Sequence, residues 1–312
     1  MHIVILCATQ RGYRFAERLF EIGQGHTFTV FSFREEPWEP PYLDDIQQLA
    51  DQHNATFHES RNVNHKKWHD FWDTNTVDLM FMVSWRYLVP ASIYQRATLG
   101  SYVFHDSLLP KYRGFAPTVW AMINGEKETG VTLFEVVDEV DAGDIIDQQT
   151  VLIDDADTIA NVVDKVTQAY LDLITTNFDS LVNGTVEPIP QNHGDATFTC
   201  KWTPNDSLIQ WNRSSQDIYN LIRATTQPYP GAFCYLDGKK LTIWSAELQT
   251  SPRDYVARVA GRVAEIYKGE GTVVLTGDST ILLKDVQLEG EDITNASNVL
   301  KSPSQTLTSF LS

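Results

Sequence analysis

The sequence predicts an α/β fold, a doubly wound parallel sheet followed by a small antiparallel β-barrel, and three observations carry that expectation. Through the first half, apolar runs of strand length alternate with amphipathic segments of helix length, the order that builds a parallel sheet covered by helices. Two of those runs, "DLMFMVS" and "GSYVFHD", are almost continuously apolar, as strands buried on both faces must be. In the last third, short strands separated by Gly/Asp turns replace the alternation.

"HIVILCA" is the first strand. It lacks a basic flank and is too short for a membrane span or a leader's apolar region, so it reads as core. "YRFAERLFEIG" follows as a helix, "TFTVFSF" as a second strand and "DIQQLADQHN" as a second helix. Between Thr158 and Asn183, residues Ile159, Val162, Val163, Val166, Tyr170, Leu173 and Ile174 recur at spacings of three and four. They make one long amphipathic helix with Asp157 as candidate N-cap and Gly184 as its stop. The aperiodic, proline-bearing stretch that follows predicts a linker over residues 191–206, separating a domain of residues 1–190 from one of 207–312. The second domain opens with the helix "SSQDIYNLIRAT" and continues as the strands "AFCYL", "KKLTIWSAEL", "GRVAEIY", "GTVVLTG" and "TILLKDVQL".

With 312 residues, 42% of them hydrophobic, the chain can bury two cores. Its formal charge is −17, of which −15 falls in residues 1–190 and −2 in the remainder. Binding a polyphosphate backbone needs clustered Lys and Arg, so this balance argues against nucleic acid. Cys7, Cys200 and Cys234 are far apart and in no metal-ligand spacing, which predicts a reducing, cytoplasmic setting and no metal.

The stretch "YVFHDSLLPKYRGFAP" places His105 at the tip of an apolar strand, where functional residues of open α/β sheets collect. A lone histidine there is more often a hydrogen-bonded structural residue. Asp141, in the Gly-containing turn "EVDAGDII", offers it a partner: an Asp and a His at two strand ends can make a proton shuttle near neutral pH. The turn after the first strand, "ATQRGYRF", has no Gly-x-Gly-x-x-Gly, and the chain has no Gly-x-Ser-x-Gly or Walker loop. Dinucleotide, hydrolase and nucleotide-triphosphatase readings lose their local signals.

"HDSLLPKYRGFAP" together with "NGEKETGVTLFEVVDEVDAGDII" resembles the formyltransferases that use 10-formyltetrahydrofolate, which modify glycinamide ribonucleotide, methionyl-tRNA or amino sugars. The resemblance runs over nearly the whole chain. It implies a Rossmann-like catalytic domain, an OB-like second domain, and 10-formyltetrahydrofolate as cosubstrate. "RNVNHKKWHDFW" is similar to a stretch of the enzymes that formylate nucleotide-linked amino sugars, so a nucleotide-linked amino sugar is the implied acceptor and a homodimer a possible assembly. The alternatives are methionyl-tRNA and a binding protein without transfer. The acidic "FREEPWEPPYLDDI" weighs against the tRNA reading, which calls for a basic loop there.

The family's catalytic pattern is Asn-x-His with a later Asp. His105 and Asp141 match it, and Val103 stands where asparagine is usual. Strand alternation puts Val103 and His105 on one face, and valine cannot donate a hydrogen bond there. Another donor such as Ser107, a backbone N–H or a water replaces the amide, or the enzyme is slow, or it only binds. By resemblance, Arg86, Tyr87 and Leu88 with Val137, Asp138, Glu139, Val140 and Asp141 contact the folate, and Lys111, Arg113 and Trp120 face the acceptor. Core packing for Tyr87 and Leu88, and a structural or solvated role for Lys111 and Arg113, are the competing readings. Val119 is a second position where the sugar enzymes often carry an amide.

Overall fold

A computed structural model describes residues 1–36 and 39–310. The chain divides into two units, one made of Met1–Pro117, Thr129–Leu152 and Asp164–Thr199, the other of Thr118–Glu128, Ile153–Val163 and Cys200–Ser312. The first unit is built on β1 (His2–Cys7), α1 (Thr9–Ile22), β2 (Thr27–Ser32), α2 (Leu43–Gln52), β3 (Thr56–Glu59), α3 (His69–Thr74), β4 (Val77–Val83), α4 (Ala91–Tyr94) and β5 (Ala97–His105). After β5 come β6 (Arg113–Gly114), α5 (Pro117–Ile123), β7 (Glu128–Glu135), β8 (Ile145–Leu152), α6 (Ile159–Val182) and β9 (Phe198–Thr199).

Seven strands form the main sheet in the order β3-β2-β1-β4-β5-β7-β8. β1 pairs in parallel with β2 and β4, and β4 with β5, so the winding reverses beside β1, where open α/β sheets place ligands. Ile3 to Cys7 are wholly buried, which explains the unbroken apolar run. α1 turns Phe15, Ala16, Leu19 and Phe20 onto the sheet, and Phe15 meets Phe104 edge-on at 4.9 Å. Burying each such side chain contributes about 1.5–3 kcal/mol. The stretch resembling the sugar enzymes packs likewise: Trp72 stacks on Phe31, its indole N–H donating to the Val63 carbonyl at 2.7 Å, while His65, Lys66 and Lys67 are exposed.

One strand of this mainly parallel sheet runs the other way. β7 runs antiparallel to β5, with His105 opposite Thr132 and Tyr102 opposite Glu135. The chain leaves β5 and re-enters the sheet from the same end, so it must return in the opposite direction. Part of the expected linker is ordered structure: β9 pairs with β6, and Gln191 is buried.

The second unit carries α7 (Ser215–Thr225), capped by the Ser214 hydroxyl accepting from the Asp217 N–H, and the strands β10 (Ala232–Leu236), β11 (Lys239–Ile243), β12 (Ala246–Leu248), β13 (Val263–Tyr267), β14 (Gly271–Leu275), β15 (Thr280–Leu283), β16 (Asp285–Leu288) and β17 (Thr294–Asn295), with α8 (Ala296–Val299). They form two four-stranded sheets, β10-β11-β16-β17 and β12-β15-β14-β13, whose named pairings are antiparallel. Two runs read from sequence as single strands, "KKLTIWSAEL" and "TILLKDVQL", each break and pass from one sheet to the other. The breaks face each other, the Trp244 N–H bonding the Asp285 carbonyl and the Lys284 N–H the Ser245 carbonyl.

Candidate active site

His105 ends β5, 8% exposed. Its Nε2 lies 2.8 Å from the Tyr112 carbonyl oxygen and its Nδ1 3.7 Å from Oδ2 of Asp141. The Tyr112 carbonyl thus lies at hydrogen-bonding distance from one ring nitrogen, while the Asp141 carboxylate faces the other from farther off. The Asp141 carboxylate is aimed by its backbone: φ is +53°, a left-handed conformation, and Oδ2 accepts from the Gly114 N–H at 2.7 Å. Gly114 has φ +110° and lies so close to β9 that a Cβ would come within 2.4 Å of the Thr199 carbonyl oxygen, so only glycine fits there.

The loop from His105 to Gly114 is fastened along its length. Thr132 donates to the Ser107 carbonyl at 2.6 Å and accepts from the Leu109 N–H at 3.0 Å, and Gln148 bonds both the Leu109 carbonyl and Thr132. The Ser107 hydroxyl donates to the Lys111 carbonyl at 2.7 Å, so the proton considered as a substitute for the missing asparagine is committed inside the loop. Val103 packs against an apolar cluster that includes Met80 and Met82, with Trp85 and Val136 beside it.

Behind His105 lies a charge network that sequence reasoning missed. Arg11 on α1 donates to both carboxylate oxygens of Asp106 at 2.7 Å, and the Tyr170 hydroxyl on α6 bonds the same carboxylate. Burial raises the Asp106 pKa, but Arg11, then Tyr170 and His105, more than offset it and hold the group below the usual carboxylate value. A charged residue directly after a buried strand was the available signal. In the sequence Tyr170 reads only as part of an apolar helix face.

On the expected donor side, Arg86 pairs with Glu39 at 2.7 and 2.5 Å, with its guanidinium 5.7 Å from the Phe33 ring, which Tyr87 also meets edge-on. Leu88 is 88% exposed, and Val137 and Val140 are exposed as well. Asp138 accepts from the Tyr94 hydroxyl at 2.7 Å, at the rim of an open groove of about 430 Å³ that also borders Ser101 and Val136. Uncovered apolar side chains on the loops flanking the strand ends are the surface a planar heteroaromatic ring would cover.

The acceptor-side residues part company. Lys111 is exposed. Arg113 is 1% exposed and its guanidinium is used internally, on Gln191 at 2.7 Å, His193 at 3.0 Å and Glu139 at 3.6 Å. Its partners are side chains of the same unit. Trp120 belongs to the second unit, where its indole donates to the Cys200 carbonyl at 2.9 Å, and Val119 there is buried. Among the described residues no group of three or more His, Cys, Asp or Glu could hold a metal, and no helix is long and apolar enough to cross a membrane.

Comparison with known proteins gives two family matches, "Formyl transferase" over residues 24–176 and "Formyl transferase, C-terminal domain" over residues 201–304. A bifunctional polymyxin resistance protein of Wigglesworthia glossinidia brevipalpis is 30% identical over 289 residues, 93% of this chain, which spans 42% of that protein's length. Among solved structures, an N-formyltransferase of Helicobacter canadensis, in complex with folinic acid and dTDP-3-aminofucose, superposes with a TM-score of 0.67 at 18% identity, covering 90% of this chain and 98% of that one. A methionyl-tRNA formyltransferase of Clostridium thermocellum superposes with a TM-score of 0.55 at 19% identity, covering 80% and 94%. At these identities the likeness speaks for the fold.

Proposed function

Because this chain belongs to the formyl transferase family, we propose that it carries the formyl group of 10-formyltetrahydrofolate to the primary amine of a nucleotide-linked amino sugar. The observation that carries the reading is His105 held between the Tyr112 carbonyl and the Asp141 carboxylate at a strand end of a formyltransferase fold. The amine nitrogen attacks the formyl carbon, whose oxygen takes up negative charge. Collapse then breaks the bond to N10, which gains a proton as the amine loses one. His105 would take the amine's proton and return it to N10, its ring opposing the oxyanion's charge while it holds that proton, and Asp141 would hold the ring for both tasks.

The folate would lie on Leu88, Val137 and Val140, its ring edges meeting backbone groups of the loops around Arg86, Tyr87, Asp138 and Glu139. The likeness to a polymyxin resistance protein and to an enzyme holding a dTDP-linked aminosugar favours a sugar nucleotide as acceptor. Lys111, which is exposed, would meet its charged or hydroxylated part.

The test is an assay with 10-formyltetrahydrofolate against UDP-, TDP- and GDP-linked amino sugars, with methionyl-tRNA in parallel and products read by mass spectrometry. A formylated sugar nucleotide that vanishes in His105→Ala is expected. Product with tRNA alone would overturn the acceptor, and undiminished product in His105→Ala would overturn the catalytic assignment.

A further inference from the structure

We infer that Gln191 is a positioning residue for transfer, a single side-chain amide that locks the loop bearing Gly114 to the turn bearing Asp141 and so sets the carboxylate against His105. The inference rests on reading His105 and Asp141 as the reacting pair. Gln191 lies between α6 and β9, more than 40 residues from either loop in sequence, and is 5% exposed. All four of its hydrogen-bonding valences are used. Oε1 accepts from Nη2 and Nε of Arg113 at 2.7 and 3.3 Å, while Nε2 donates to the carbonyl oxygens of Asp141 at 3.0 Å and Gly143 at 2.7 Å.

The two donated bonds fall where the turn needs them. Asp141 occupies a left-handed conformation that a non-glycine residue adopts at a cost, and the bond to its carbonyl holds the peptide in that orientation. Gly143 is pressed against β7, where a Cβ would sit 1.8 Å from the Glu135 carbonyl oxygen, so the turn has no slack on its far side. On the other loop, Arg113 is anchored by its N–H to the Thr197 carbonyl at 2.8 Å, and the next N–H, that of Gly114, is the one the Asp141 carboxylate accepts. Removing the Gln191 donors frees the turn while leaving every proposed reacting side chain chemically unaltered. A carboxylate displaced by even about 1 Å can cost on the order of a hundredfold in rate.

Two variants separate the parts. Gln191→Glu keeps an acceptor for Arg113 but sets oxygen against the two carbonyls, and Gln191→Met removes both halves. Hydrogen exchange read by mass spectrometry is expected to quicken at least about tenfold in peptides covering residues 112–116 and 137–143, with β1 and β4 unchanged. On the acceptor found in the assay above, kcat is expected to fall by about tenfold to a hundredfold in Gln191→Glu, with KM for the folate held within about twofold. In an Asp141→Ala background the same change should cost nothing further. Unaltered exchange in those two peptides would overturn the lock, and a full additional loss of kcat on top of Asp141→Ala would overturn its action through Asp141. An Asp141→Ala enzyme with undiminished turnover would instead sink the catalytic reading, and the exchange result would still decide whether the two loops are joined.

Discussion

At the scale of single residues, Val103 and Asp106 make this site its own. Val103 offers no donor on the face that carries His105, and Ser107 spends its proton on the Lys111 carbonyl. Val103→Asn is therefore expected to raise kcat on the order of a hundredfold, the size of one oxyanion donor. Placing an amide against the methionine cluster should at the same time lower the thermal midpoint, at a cost of about 1–3 kcal/mol. An unchanged kcat would mean that another donor already serves. Asp106 gives a prediction in pH. Its folded pKa is depressed, chiefly because Arg11 outweighs the effect of burial, so the stability it contributes is complete above the ordinary carboxylate value of about 3.9 and is lost as pH falls through the lower folded value. Asp106→Asn should cost about 3 kcal/mol near neutral pH, because it removes the carboxylate charge that faces the Arg11 guanidinium, and should flatten the acid limb of stability measured by urea titration from about pH 2 to pH 5.

At the scale of elements, the pairing of β6 with β9 does what neither two-residue strand could do alone. It brings residues 113–114 beside 198–199 and presents the Gly114 N–H to Asp141. Gly114→Ala puts a Cβ against the Thr199 carbonyl oxygen at a positive φ, and we expect a loss of about 2 kcal/mol or more in denaturant titration together with a fall in kcat. Neither strand has a readable period, since two residues give no alternation. The antiparallel entry of β7 escapes notice for a related reason: a strand buried on both faces has the same apolar composition in either direction, and only the point where the chain re-enters the sheet settles which way it runs.

For the molecule as a whole, charge separates the candidate acceptors. With −17 formal charges and 24 Lys and Arg among 312 residues, the chain is expected to show kcat/KM on a sugar nucleotide that changes less than about threefold between roughly 50 and 200 mM salt. A tRNA substrate should lose far more over that range, because each phosphate contact adds to the salt dependence. A steep loss with the sugar nucleotide would point to acceptor binding dominated by charge and away from the polar and apolar contacts expected of a nucleotide-linked sugar.

By itself the sequence determined the alternation of strands and helices, the antiparallel second domain and the family, because each of these is written in local periodicity or in contiguous motifs, and it offered His105 and Asp141 as candidates. Only the tertiary structure decided that Arg113 faces inward, that Asp106 answers Arg11 across 95 residues, and that Gln191, in a stretch without period, joins the two loops of the site. A side chain's partners over such separations follow from where the backbone returns, and a glutamine with four satisfied valences is indistinguishable in sequence from one on a solvated surface.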